Sequence, residues 1–262
     1  MKRSFLLLGV LLFLIPSLLQ AETPEQKGLA IANEADRRDN GFGDFKARLT
    51  MTLTNRHGEQ SIRAMRIRVL EEPDDGDKSL IIFDSPRDVS GTAFLSYSHK
   101  HGDDDQWLYL PALKRVKRIS SRNKSGSFMG SEFSYEDIAS QEVEKYTYKY
   151  LRDAELDGQA CFVSERYPVD RENSGYLRQM VWMDKAQYRP QKVDYYDRKD
   201  SLLKTLVFRG YRKYLDRYWR ADEMEMDNHQ SGKRTVLDWA DYQFKTGLSE
   251  RDFDSNSLKR AR

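Results

Sequence analysis

From Asp44 onward the chain settles into a two-residue hydrophobic period that it keeps almost to its end. Phe45, Ala47, Leu49, Met51 and Leu53 alternate with Lys46, Arg48, Thr50, Thr52 and Thr54. This is the pattern of a strand with one face buried and the other in water. Asn55-Arg56-His57-Gly58 is a turn sequence, and residues 62–70 return as a second strand. The phase slips between Ala64 and Met65, which predicts a β-bulge and with it a bend in the sheet. Further strands are expected over residues 79–84, 92–98, two in a hairpin over 105–119 that turns at Pro111-Ala112, and then 145–152, 161–167, 177–184, 191–196, 202–210, 218–226 and 234–244, bounded by Asp, Gly, Pro or Asn. These short, evenly spaced strands without alternating helices argue for a mainly β fold: one antiparallel, strongly curved sheet or barrel rather than a parallel α/β arrangement.

One helix is predicted before the sheet. Thr23 caps, Pro24 suits the first helical position and Gln26 completes a capping box. Leu29, Ala32 and Ala35 give a narrow apolar stripe with Ile31 on its edge, and the helix should stop near Asp39-Asn40-Gly41. A stripe this narrow can lie on a sheet but cannot build a core alone. Ahead of it, residues 1–21 have the form of a cleavable secretory signal: Lys2 and Arg3, an apolar run from Phe5 to Ile15, a break at Pro16 and a small residue, Ala21, at the expected cut. The chain is then expected to divide into a signal peptide (1–21), one domain (22–248) and a loose polar tail (249–262), and to be exported.

Removing Lys2 and Arg3 from the 44 basic residues leaves 42 against 42 acidic ones. A balanced exported chain gives no electrostatic argument for a nucleic-acid partner. Cys161 is the single cysteine, so no internal disulfide can form. Between Ala160 and Phe162 it has no neighbour that would stabilise a thiolate, and it is expected to be a buried small hydrophobe.

The stretch from Asp105 to Asp137 stands apart. It opens as a hairpin, an aromatic-rich strand and a basic strand about Pro111-Ala112. Lys114, Arg115, Lys117 and Arg118 are the expected contacts for an acidic partner or lipid headgroup. The plainer alternative is a solvated strand face partly balanced by Asp103, Asp104 and Asp105; a two-residue turn would set Asp105 opposite Arg118. The hairpin runs into a long polar loop that carries Phe128, Met129 and Phe133, with Gly126 and Gly130 on either side of Ser127-Phe128-Met129. These residues are the expected lid, a movable flap on the concave side of the sheet; packing on the sheet edge is the alternative.

No catalytic constellation emerges. The chain lacks a Gly-x-Ser-x-Gly elbow, a phosphate-binding glycine loop and a His-Glu-x-x-His pair. His99 and His101 lack a third ligand at a recognisable spacing. Neither a metal nor another cofactor is expected, and the chain is not expected to be an enzyme. A curved sheet with one helix has difficulty filling its inner side, which leaves a cavity suited to an apolar ligand. By alternation the inward candidates are Phe45, Leu49, Met51, Leu53, Ile67, Val69, Ile82, Phe94, Leu108, Leu110, Val181, Met183 and Phe208, each of which could equally be ordinary core.

Asp105-Gln-Trp-Leu-Tyr-Leu-Pro-Ala-Leu-Lys-Arg-Val-Lys-Arg-Ile119, followed by Ser127-Phe-Met-Gly-Ser-Glu-Phe-Ser-Tyr-Glu-Asp137, resembles the outer-membrane lipoprotein-sorting family, a LolA-like group of exported proteins. Val181-Trp-Met-Asp-Lys-Ala-Gln-Tyr-Arg-Pro-Gln-Lys-Val-Asp-Tyr-Tyr-Asp197 is similar to a strand pair that recurs in LolA-like chains. The resemblance spans residues 45–244. It implies a half-open β-barrel closed on its concave side by helices, carrying lipoprotein acyl chains or other lipids through the periplasm. It also implies work beside an inner-membrane transporter of the resistance-nodulation-division type and an outer-membrane acceptor. A monomer is expected. The competing expectation is an accessory subunit that regulates an envelope transporter and carries no cargo.

Overall fold

The structure, a computed structural model, describes residues 21–254 and 258–259. The signal-peptide reading of residues 1–20 lies outside them. Helix α1 (Pro24–Asp39) leads into β1 (Asp44–Thr54), β2 (Gln60–Leu70), β3 (Lys78–Ser85), β4 (Ala93–Tyr97), β5 (Asp105–Leu110) and β6 (Arg115–Ile119). A long connection holding the single-turn helix α2 (Tyr135–Ile138) leads to β7 (Tyr146–Leu156), β8 (Gln159–Pro168), β9 (Tyr176–Asp184), β10 (Pro190–Asp197) and β11 (Leu202–Arg209). Next come a small hairpin, β12 (Arg212–Tyr214) and β13 (Tyr218–Arg220), then β14 (Glu223–Asn228) and β15 (Lys233–Phe244). No helix among the described residues is long and apolar enough to cross a membrane.

Thirteen strands form one sheet in the order β6-β5-β4-β3-β2-β1-β15-β14-β11-β10-β9-β8-β7. Two antiparallel meanders are joined where β1 pairs with β15. The sheet does not close, and β6 and β7 are its free edges. The strand count exceeds the sequence expectation because residues 212–226 hold three short strands, not one. Leu215 and Asp216 adopt positive φ (49° and 55°) and fold β12 onto β13 as a separate two-stranded hairpin.

The curvature follows from the contacts of one dipeptide. Gln106 on β5 donates to the Tyr135 carbonyl at 3.1 Å, and the hydroxyls of Ser134 and Tyr176 on β9 are 3.2 Å apart. β5 and β9 are nine positions apart in the sheet order, which would span roughly 43 Å in a flat sheet. Two adjacent residues reach both strands only because the sheet wraps around them. The register against β3 shifts between Ala64 and Met65, where a bulge was expected, but the extra residue, Asp84, lies on β3.

Helix α1 lies against the inner face at β7. Thr23 and Gln26 form the expected capping box. The buried positions are Gly28 and Ile31, whereas Leu29 is 43% exposed, so the expected stripe is rotated. The cause is the close approach of helix to strand: a Cβ at Gly28 would lie 2.8 Å from the Tyr150 amide nitrogen. A bare backbone there lets the helix seat on the sheet.

The main core fills the inner face between β1–β5 and β9–β15. Two smaller clusters sit on the outer face. One is Cys161, Val163 and Trp182; Cys161 is fully buried, and burial pushes its thiol pKa up. The other joins Leu80, Ile82, Ala93 and Leu95 to Phe253 and Leu258. The expectation of a loose tail after Leu248 is corrected here. Phe253 and Leu258 are completely buried, the Tyr97 hydroxyl donates to the Phe253 carbonyl, and Lys78 pairs with Glu250 at 3.2 Å. The tail covers an apolar outer patch that a half-wet sheet would leave exposed.

Candidate functional site

The inner space is divided in two. Near α1 it holds an open cavity of about 1060 Å³. Of the residues expected on the inner face, Phe45, Ile67, Val69, Val181, Met183 and Phe208 line it. Leu49, Met51, Phe94 and Leu108 are buried in the filled core, with Leu53 and Leu110 packed at its margin. Ile82 points to the outer face beneath the tail. β3 reads Leu80-Ile81-Ile82-Phe83, and all four residues are buried, so alternation could not assign its faces.

The long connection fills the other half. Phe128 is fully buried, with its ring 6.0 Å from Phe83 and 5.2 Å from Phe94; Phe133 is 1% exposed. The loop pinches shut where the Phe128 amide donates to the Phe133 carbonyl at 2.7 Å and turns at Met129 and Gly130, both with positive φ (52° and 80°). Met129 is partly buried against the core, and its carbonyl accepts from Arg63 on β2. Glu132 accepts from Asn228 at 2.6 Å through its carboxylate, and its amide donates to Thr235 at 3.0 Å. The expected lid residues are thus docked into the core in this structure.

A buried polar knot secures the dock. Lys204 Nζ lies 2.6 Å from Asp137 Oδ2 and donates to the Glu132 carbonyl at 2.8 Å. Asp137 also accepts from the Tyr176 hydroxyl at 2.9 Å and the Ser134 amide at 2.7 Å. Glu136 accepts from Ser174 Oγ at 2.9 Å and the Gly175 amide at 2.8 Å. Burial, and then the neighbouring Asp137, push the Glu136 carboxyl up to about 7. The carboxylates Glu132, Glu136 and Asp137 stand out in the sequence only as a weak acid/base candidate, and Lys204 does not stand out at all. Its signal is a charge at an inward position: Lys204 shares the phase of buried Leu206.

The cavity lining is also charged. Asp36, Asp77 and Glu142 belong to it, and burial raises all three pKa values; Asp77, with Glu142 nearby, is pushed up to about 7. Arg189 and Arg220 belong to it as well, paired with Asp184 and Asp39.

The basic residues Lys114, Arg115, Lys117 and Arg118 are all exposed on or beside the edge strand β6, away from the cavity. The connection from β5 is a 3₁₀ turn over Pro111–Leu113 with Lys114 at φ 49°, longer than the two-residue turn considered above. It sets Trp107 opposite Arg118, so Asp105 reaches Arg118 diagonally. Asp104 pairs with Lys145, and His99 stands 2.6 Å from Asp75 and 3.5 Å from Asp105. Among the described residues no group of three or more His, Cys, Asp or Glu is arranged to hold a metal.

A family model described as "-like: Uncharacterized protein" matches residues 75–260. No curated protein matches the chain. Among solved structures, a domain from Vibrio parahaemolyticus named for outer membrane lipoprotein sorting is 60% identical, with a TM-score of 0.88 over 90% of this chain and 100% of that one. A DUF1329 family protein from Desulfovibrio piger is 34% identical, with a TM-score of 0.85 over 90% of this chain and 99% of the other. A LolA superfamily protein from Nitrosomonas europaea shares the fold, with a TM-score of 0.70 at 22% identity over 88% of this chain and 98% of that one. On the first two identities, sustained over nearly the whole of each relative, the chain belongs to the outer membrane lipoprotein-sorting family, whose fold is LolA-like.

Proposed function

We propose that the protein is a periplasmic carrier that takes acyl chains of lipoproteins or other lipids into the cavity and moves them between the inner and outer membranes. The observation that carries this reading is the open cavity of about 1060 Å³, with Ile67, Val69, Val181 and Met183 in its lining, in a chain of a family named for lipoprotein sorting. Its size stands at the upper end of the roughly 300–1,000 Å³ of small-molecule sites. Each methylene that leaves water for Ile67, Val69, Val181 and Met183 gains about 0.8 kcal/mol. No bond is made or broken, so the work is binding and release. The docked loop around Phe128 and Phe133 is the element whose undocking would enlarge the site. An inner-membrane transporter is the proposed donor, and an outer-membrane component the acceptor.

Lipid extracted from protein purified out of its native periplasm, and titration with a fluorescent fatty acid, test this. Co-purifying lipid and saturable probe binding are expected. Met183→Trp, which fills the cavity, should weaken probe binding at least tenfold with little change in melting temperature. Absence of both extracted lipid and probe binding would overturn the carrier reading. An unliganded protein that still bound its transporter would instead point to an accessory subunit.

A further inference from the structure

The polar groups on the cavity wall are not all balanced. Arg166 on β8 lines the cavity beside Tyr148 and Ser164 and is half-buried. Its Nε donates to Oε1 of Gln179 at 2.7 Å, and its guanidinium lies 4.6 Å from the centre of the Tyr146 ring. Gln179 is 2% exposed, so this bond fixes one edge of the guanidinium against a buried partner. Among the described residues no carboxylate forms an ion pair with Arg166. The other half-buried arginines of the cavity do have one: Arg189 has Asp184 at 2.7 Å, Arg220 has Asp39, and Arg38 has Glu34 at 2.7 Å.

A second group on the same cavity lacks a partner. Trp239 Nε1 is buried and has no acceptor among the described residues. Both surplus groups are donors, and a guanidinium accepts nothing. A buried donor without an acceptor is unfavourable, and a cation removed from water more so, unless a ligand supplies oxygen atoms. A planar guanidinium matches carboxylate or phosphate oxygens in a paired geometry.

We propose that the cavity selects acyl chains that carry an oxyanion, a carboxylate or a phosphate, and that Arg166 binds that group while the apolar wall holds the chain. This rests on the carrier reading above but adds a charge preference that the reading does not require.

Oleate and oleyl alcohol share a chain and differ in head charge, so the delipidated full chain is titrated with each. Wild type should bind oleate at least tenfold more tightly than oleyl alcohol. Arg166→Gln should remove that preference and leave the alcohol affinity within twofold, and Arg166→Lys should restore part of it. A lysophospholipid with a terminal phosphate, run in parallel, identifies which oxyanion is preferred. Acetate and inorganic phosphate, which lack a chain, should not compete at millimolar concentration. Equal binding of oleate and oleyl alcohol by wild type, or a preference that survives in Arg166→Gln, overturns the proposal. If Arg166→Gln does not fold, the wild-type comparison and the lysine variant decide it. Binding of oleyl alcohol without preference keeps the carrier reading and sinks only this one; binding of neither ligand sinks both.

Discussion

Replacing Lys204 by methionine tests what holds the loop in the barrel. The side chains of Lys204 and Asp137 are 5% and 3% exposed and 2.6 Å apart. Methionine keeps an unbranched apolar stem and removes the charge. Asp137 would keep the Tyr176 hydroxyl at 2.9 Å and the Ser134 amide at 2.7 Å, but not its cation. Breaking a buried pair from one side costs about 3–5 kcal/mol. The two remaining donors favour the lower end, to which the orphaned Glu132 carbonyl adds about 1 kcal/mol. For a domain of this size a loss of about 4 kcal/mol lowers the melting temperature by roughly 8–16 °C. The double variant Lys204→Met, Asp137→Asn removes both charges and should return to within about 1 kcal/mol of wild type, because a buried ion pair replaced as a unit is often nearly neutral. Urea denaturation of the four proteins of this cycle, with hydrogen exchange over residues 126–138, reads both quantities. A single-variant loss below about 1 kcal/mol, or a double variant as unstable as the sum of the singles, would refute the reasoning and assign the dock to aromatic packing around Phe128.

Two further outcomes are expected. Glu136 is pushed up to about 7 from its ordinary 4.5 by burial and then by Asp137, so the folded chain holds this proton more tightly than the unfolded one. The stability it contributes is full below about pH 4.5 and is lost as pH rises through about 7, by up to about 3 kcal/mol; Glu136→Gln should flatten the fall in melting temperature between pH 5 and pH 8, and an unchanged slope would show that the carboxyl is not responsible. Phe253→Ala removes a fully buried ring from the outer patch and should cost about 3 kcal/mol while speeding tryptic cleavage at Arg251; unaltered cleavage would mean the tail is held by its ion pairs alone.

What the sequence disclosed depended on whether a strand has one wet face. β1 does, and its inward set was readable from Phe45 to Leu53. β3 does not: its outer face is dry because Phe253 and Leu258 cover it. Nothing local to Ile82 distinguishes it from an inward residue, and two apolar residues in a polar tail gave too little periodicity to signal docking. Arg166 and Lys204 carry a readable signal, charge at an inward phase, which alternation of apolar residues alone does not register. The division between cavity and core is a different matter. Phe45 and Leu49 lie on the same face of the same strand and both belong to the core, yet only Phe45 also lines the cavity. Alternation cannot separate them, because the difference comes from residues 126–138, about eighty positions away in the chain. That loop sets the Phe128 ring 6.0 Å from Phe83 and 5.2 Å from Phe94 in the core that holds Leu49 and Met51, while Phe45, Ile67 and Val69 line the cavity. The volume offered to a ligand is therefore set by the loop's docking and only bounded by the strands, and any variant that weakens the Lys204–Asp137 pair should enlarge the site as it destabilises the fold.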